Sequence, residues 1–146
     1  MKLYTIGFTQ KSAQEFFKRL HHNGVQRLID IRISPHGQLS GFARQEDLPF
    51  FLHELAGHCQ YLYMPVLAPT REMMKEYRED GNWVRYAARF EALMDERKIP
   101  VGLDRSIFES ATCCLLCSES TPERCHRRLV AERLAKAWPD LEVVHL

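Results

Sequence analysis

Four of the five cysteines, one histidine and three arginines fall within the seventeen residues TCCLLCSESTPERCHRR, Thr112 to Arg128. A thiol relieved of its proton is a nucleophile and a soft metal ligand, an imidazole accepts that proton, and a guanidinium holds an anion. The segment therefore admits three chemistries: catalysis by a cysteine nucleophile, reversible thiol oxidation and metal ligation. Which of them applies depends on how the chain presents these side chains.

The apolar run Thr112 to Cys117 reads as a strand covered on both faces, because a parallel strand between helical layers shows continuous rather than alternating hydrophobicity. The polar residues and proline that follow open a helix from Pro122 to Ala137. Two start signals compete, a capping box of Ser120 with Glu123 and a Thr121 cap with Pro122 in the first turn. In both frames Cys117 and Glu119 lie at the carboxyl end of the strand, beside the free N–H groups of a helix start, where thiolates are stabilised. Cys117 is the candidate nucleophile on this ground, with Glu119 as an orienting carboxylate.

At about 100° per residue His126 shares a stripe with Val130, Leu134 and Ala137 and faces the sheet. It is either a hydrogen-bonded core residue or a base and anion donor beside Cys117. Cys125 stands on the flank toward Leu129. A strand-to-helix turn can bring it to Cys117, for a reversible disulfide or for a metal shared with His126. Cys114 and Cys117 form a C-x-x-C, but within a strand residues three apart point to opposite faces, so Cys113 and Cys114 read as core thiols. The order of strand, thiol and helix resembles that of protein tyrosine phosphatases and rhodaneses. The six residues between Cys117 and Arg124 are one more than the phosphatase loop spans, and Glu119 would repel a phosphate dianion.

The elements that must hold these groups alternate along the chain. Leu3 to Gly7 is a strand, and Ser12 with Glu15 opens a helix through Phe16, Phe17 and Leu20 that stops at Asn23-Gly24. Leu28 to Ile33 is a second strand, with Ile29, Ile31 and Ile33 on one face and Leu28, Asp30 and Arg32 on the other. After the loop Ser34 to Arg44, a helix runs through Leu48, Phe51, Leu52 and Leu55 to Gly57. Cys59 to Met64 is a third strand, closed by Pro65. Val66 to Asp80 reads as a long connection, Asn82 to Arg97 as a helix turning Val84, Ala87, Ala88 and Leu93 inward, and Ile99 to Glu109 as another connection. Leu141 to His145 is the last strand.

This alternation predicts one α/β domain over residues 1–146, a Rossmann-like three-layer α/β/α sandwich around a mostly parallel five-stranded sheet. Ligands of such sheets bind beyond the carboxyl ends of the strands. Those ends are Gly7 to Thr9, Arg32 to Ser34, Tyr63 to Pro65 and Cys117 to Glu119. Thr9, Asp30, Arg32 and Arg127 are accordingly the candidates for holding substrate. Asp30 and Arg32 sit about 7 Å apart on one strand face and pair either with each other or with a ligand.

Composition is that of an ordinary globular chain, 45% hydrophobic and 27% charged with a net charge of +1, which argues against a general coat for nucleic acid. Fourteen arginines against six lysines leave room for a local anion site. No segment reads as an export signal or a membrane span, and an odd, clustered set of cysteines does not read as a disulfide framework, so a cytoplasmic protein with reduced thiols is expected. Neither G-x-G-x-x-G nor G-x-x-x-x-G-K occurs, which disfavours a dinucleotide cofactor or a P-loop and leaves any cofactor unknown.

Several of these residues together are similar to a known family. Thr5-Ile6-Gly7, Asp30-Ile31-Arg32, Pro35, Phe42, Tyr61 and Pro65, and above all Cys117-Ser118-Glu119 with Pro122-Glu123 and Cys125-His126-Arg127, resemble the domain of unknown function 488 family. Phe8 and Thr9 stand where that family usually has His and Ser, and Leu67-Ala68-Pro69 replaces its Leu-Gly-Gly run. The resemblance implies a three-layer α/β fold and no particular reaction.

The sequence thus points to a small enzyme with Cys117 as nucleophile, His126 as base or donor, Arg32 and Arg127 holding an anionic substrate or nucleotide, and Asp30 or Glu119 orienting them. The rival is a non-catalytic module that binds nucleotide or nucleic acid through Arg32, Arg44 and Arg127, with structural or redox-sensing cysteines. Neither reading fixes an oligomeric state.

Overall fold

The computed structural model describes residues 1–146, the side chain of Gln38 excepted. Five strands form one sheet: β1 (Lys2–Gly7), β2 (Arg27–Asp30), β3 (Gln60–Tyr63), β4 (Cys113–Cys117) and β5 (Glu142–His145). Their order is β3-β2-β4-β1-β5 and every pairing is parallel, in line with the expected Rossmann-like sandwich. β4 is the middle strand and all five of its residues are buried, which is why its sequence is an unbroken apolar run.

Two helical layers cover the sheet. Against one face pack α1 (Ala13–His22) and α2 (Leu48–Leu55), whose Phe16, Phe17, Leu20, Leu48 and Leu52 meet Tyr4, Ile6, Leu28, Cys114 and Leu116. Against the other pack α3 (Arg71–Asp80), α4 (Trp83–Glu96), α5 (Ser106–Glu109) and α6 (His126–Ala137). Their Met73, Phe90, Met94, Phe108, Val130 and Leu134 bury Leu3, Ile29, Cys113 and Leu115. The period of two in β4 therefore sends Cys114 to the first layer and Cys113 and Cys117 to the second, and the C-x-x-C of Cys114 and Cys117 does not act as one pair.

Four expectations change. Residues 71–80 are not a loose connection but the three-turn helix α3, capped by the Thr70 hydroxyl on the Met73 N–H and ended by Gly81 in the left-handed region at φ 62°. In α4 the buried residues are Tyr86, Phe90 and Met94, while Val84 and Ala88 face solvent. β2 stops at Asp30, because the Asp30 carboxylate itself accepts the Arg32 backbone N–H at 3.1 Å. Finally, α6 starts at His126 rather than Pro122, with Cys125 as an extended N-cap at φ −136°, ψ 139°. Neither capping frame forms. The preceding loop instead turns the Glu119 and Ser120 carbonyls onto the Arg127 guanidinium, so those residues cannot enter the helix.

Among the described residues no helix is long and apolar enough to cross a membrane.

Candidate active site

The carboxyl ends of β2 and β4 open into a cavity of about 440 Å³ between the sheet and the helices α3, α4 and α6. Arg32, Cys117, Glu119, Arg124, Cys125 and His126 line its polar side, and Pro69, Met74, Tyr77 and Tyr86 its apolar side. The Tyr77 and Tyr86 rings lie 5.0 Å apart, centroid to centroid.

Cys117 ends β4 and is buried at 5% exposure. Its sulfur lies 3.4 Å from Nδ1 of His126, the first residue of α6. Nε2 of the same ring is 2.8 Å from the Ile31 carbonyl oxygen. A carbonyl can only accept, so Nε2 carries a proton, and Nδ1 is the ring nitrogen turned toward the thiol, able to accept from it in the Nε2–H tautomer. The Phe90 ring packs at 5.5 Å from the imidazole and holds it from below.

The five thiols divide by surroundings. Cys117 is held below the ordinary thiol value, chiefly because the Cys125 thiol donates to it; the Ser118 and Glu119 N–H groups and the Arg127 charge act in the same direction against the cost of burial. Cys125 is pushed up by the same hydrogen bond and by burial. Burial raises Cys113 and Cys114, and takes Cys59 to about 12. Only Cys117 is thus placed to react as a thiolate.

Arg32 is 4% exposed and forms a bidentate pair with the fully buried Asp30, Nε to Oδ1 at 2.9 Å and Nη2 to Oδ2 at 2.8 Å. Tyr61 adds its hydroxyl to Oδ2 at 2.6 Å, and Arg32 Nη2 also donates to the Ala43 carbonyl. The Phe8 ring lies under the guanidinium at 5.2 Å. Nη1 is left over: it is buried and has no hydrogen-bond partner. A guanidinium that is oriented by a carboxylate and belongs to a residue lining a cavity is suited to an anion. Asp30 orients Arg32 and does not itself line the cavity.

Thr9 and Arg127 are placed elsewhere. The Thr9 hydroxyl donates to the Ser118 carbonyl at 2.6 Å. Arg127 is fully buried beneath the loop, with Nε on the Thr5 hydroxyl, Nη1 on the Glu119 carbonyl and the Cys125 sulfur, and Nη2 on the Ser120 carbonyl. Both shape the loop after Cys117 without touching the cavity. Gly7 belongs to the same construction, since a Cβ there would stand 1.6 Å from the Glu119 carbonyl oxygen. Of the arginines considered for a polyanion, Arg44 alone reaches the surface, where Asp47 and Glu46 pair with it.

The sequence reading missed Arg78, Arg124 and the tyrosine wall. Tyr77 and Arg78 stand on α3, which was read as a connection. The Thr70 cap and the spacing of Met73, Met74 and Tyr77 were its available signals.

A family model described as Domain of unknown function DUF488 matches residues 12–134. The chain belongs to the DUF488 family. The DUF488 match takes in Asp30, Arg32, Cys117, Cys125 and His126 and leaves β1 and β5 outside. None of the curated proteins and none of the solved structures matches.

Proposed function

We propose that this DUF488 protein is a small cytoplasmic enzyme that acts on an anionic substrate, with Cys117 as its nucleophile. The observation that carries this reading is that Arg32, whose buried Nη1 has no hydrogen-bond partner, lines the same cavity as the Cys117–His126 pair. Buried charged donors without partners are costly, and a bound anion would satisfy this one.

In this reading the thiol proton of Cys117 passes to His126 Nδ1, and the thiolate adds to an electrophilic centre of the substrate. Arg32 fixes the negative group, with Arg78 and Arg124 at the cavity wall. The imidazolium then returns its proton to the leaving group. Tyr77, Tyr86 and Met74 give the remainder of the substrate an apolar surface, which fits an organic anion better than a bare ion.

The test is the rate of iodoacetamide alkylation at Cys117 in metal-free protein, with and without inorganic phosphate, phenyl phosphate and nucleotides. Protection of Cys117 that disappears in Arg32→Gln is expected. Alkylation of Cys117 no faster than that of an ordinary thiol, and indifferent to every anion, would overturn the proposal.

A further inference from the structure

We propose that Cys117, Cys125 and His126 form a binding site for one thiophilic divalent metal ion, best suited to Zn²⁺, with the fourth position open to the cavity. The ligand atoms of these three buried residues all lie within 4.8 Å of one another. Zinc–sulfur and zinc–nitrogen bonds of about 2.3 and 2.0–2.1 Å place two donors of a tetrahedron roughly 3.5 Å apart. The observed separation of Cys117 Sγ and His126 Nδ1 is 3.4 Å.

The surroundings of the histidine support the same conclusion independently. A metal-binding histidine characteristically donates its second ring N–H to a carbonyl or carboxylate, which fixes the tautomer and aims the free nitrogen. His126 does this through Nε2 and the Ile31 carbonyl, leaving Nδ1 toward Cys117. Cys117 ends a central strand, Cys125 caps α6, and Arg127 and Thr9 pin the intervening loop, so the three donors are held by fixed elements.

Charge and softness agree as well. Two thiolates and a neutral imidazole offset the charge of a 2+ ion, the buried Arg127 guanidinium donates to the Cys125 sulfur at 3.7 Å, and sulfur ligands select zinc over magnesium or calcium. Three protein ligands with a fourth position facing a cavity is the arrangement of zinc that keeps a place for water or a ligand rather than of closed structural sites. Cys125 contacts no substrate in the nucleophile reading and becomes a direct ligand here. With zinc bound, Cys117 is a ligand and not a free nucleophile, so the two states of the site exclude each other.

The experiment titrates the reduced, metal-stripped full chain with Co²⁺. One equivalent should produce thiolate-to-cobalt charge transfer in the near ultraviolet and the intense visible bands of tetrahedral cobalt, and Zn²⁺ should bleach both. Cys125→Ser and His126→Gln should each abolish the tetrahedral spectrum, and Cys114→Ser should retain it. In the wild-type chain, which needs no substitution to fold, Zn²⁺ should shield both Cys117 and Cys125 from alkylation. Absence of the charge-transfer band, an unaltered spectrum in Cys125→Ser, or alkylation of Cys125 unaffected by zinc would each overturn the proposal. Phosphate protection in metal-free protein tests the nucleophile reading separately, because it involves no metal.

Discussion

The Cys117 sulfur faces Nδ1 of His126 at 3.4 Å, although one residue ends a strand and the other begins the helix after it. The intervening loop folds back over Gly7 and sets the helix start beside the strand end. A sulfur and a proton acceptor meet in a cavity without either depending on a mobile side chain.

The first prediction concerns the pH at which each thiol reacts. A thiol held below its ordinary value is thiolate to lower pH, so alkylation of Cys117 begins below the ~8.5 midpoint of a free thiol. Cys59, at about 12, and Cys114, also raised, stay protonated over the same range. Cys125→Ala removes the main stabilising donor and should move the Cys117 midpoint upward. Peptide mass spectrometry across a pH series measures all of these together.

Arg32 supplies the second. Arg32→Met leaves the Asp30 carboxylate buried with Tyr61 as its remaining side-chain partner, and breaking a buried pair from one side costs about 3–5 kcal/mol. Urea unfolding should show a loss of that order, and phosphate should no longer slow alkylation of Cys117.

Gly7→Ala tests how the loop is held. The added methyl would overlap the Glu119 carbonyl and approach Arg127 Nη1 at 2.8 Å. Backbone has to move to admit it, at a cost of about 1–3 kcal/mol or more. The melting temperature should fall, and Cys117 should lose its reactivity advantage over the other thiols, because the N–H groups of Ser118 and Glu119 shift with the loop.

The tyrosine wall predicts selectivity. Tyr77→Ala removes one ring of the Tyr77–Tyr86 pair, and aromatic contacts contribute about 0.5–1.5 kcal/mol. Protection of Cys117 by phenyl phosphate should weaken by roughly 2- to 10-fold, with protection by inorganic phosphate unchanged. Equal weakening of both would show that the ring does not contact the ligand.

The sheet was legible because its three inner strands are buried and the apolar runs of all five are bounded by turn residues. Cys117 and Arg32 were legible for the same reason, since strand ends define the site of a parallel sheet. α3 was not, because REMMKEYRED exposes a charged face and turns few side chains inward, which a connection would also do. The start of α6 was misplaced because Ser120, Thr121 and Pro122 carry real capping chemistry. What overrides it is the buried Arg127, whose demand for the Glu119 and Ser120 carbonyls is a tertiary effect. That Arg127 points down into the fold, while Arg32 lines the cavity, depends on contacts across more than a hundred residues in one case and on a local carboxylate in the other.

The position of β4 bears on how the chain is made. Residues 113–117 fill the slot between β1 and β2, yet they follow both strands and the helices α1 to α5 in the chain. Until they leave the ribosome nothing joins β1 to β2, and the backbone edges at Ile6, Leu28 and Ile29 that pair with β4 stay open. Non-local parallel pairing closes slowly and leaves apolar edges open to other chains meanwhile. A nascent chain of this protein therefore carries the facing edges of β1 and β2 open until the strand that ends in Cys117 closes them.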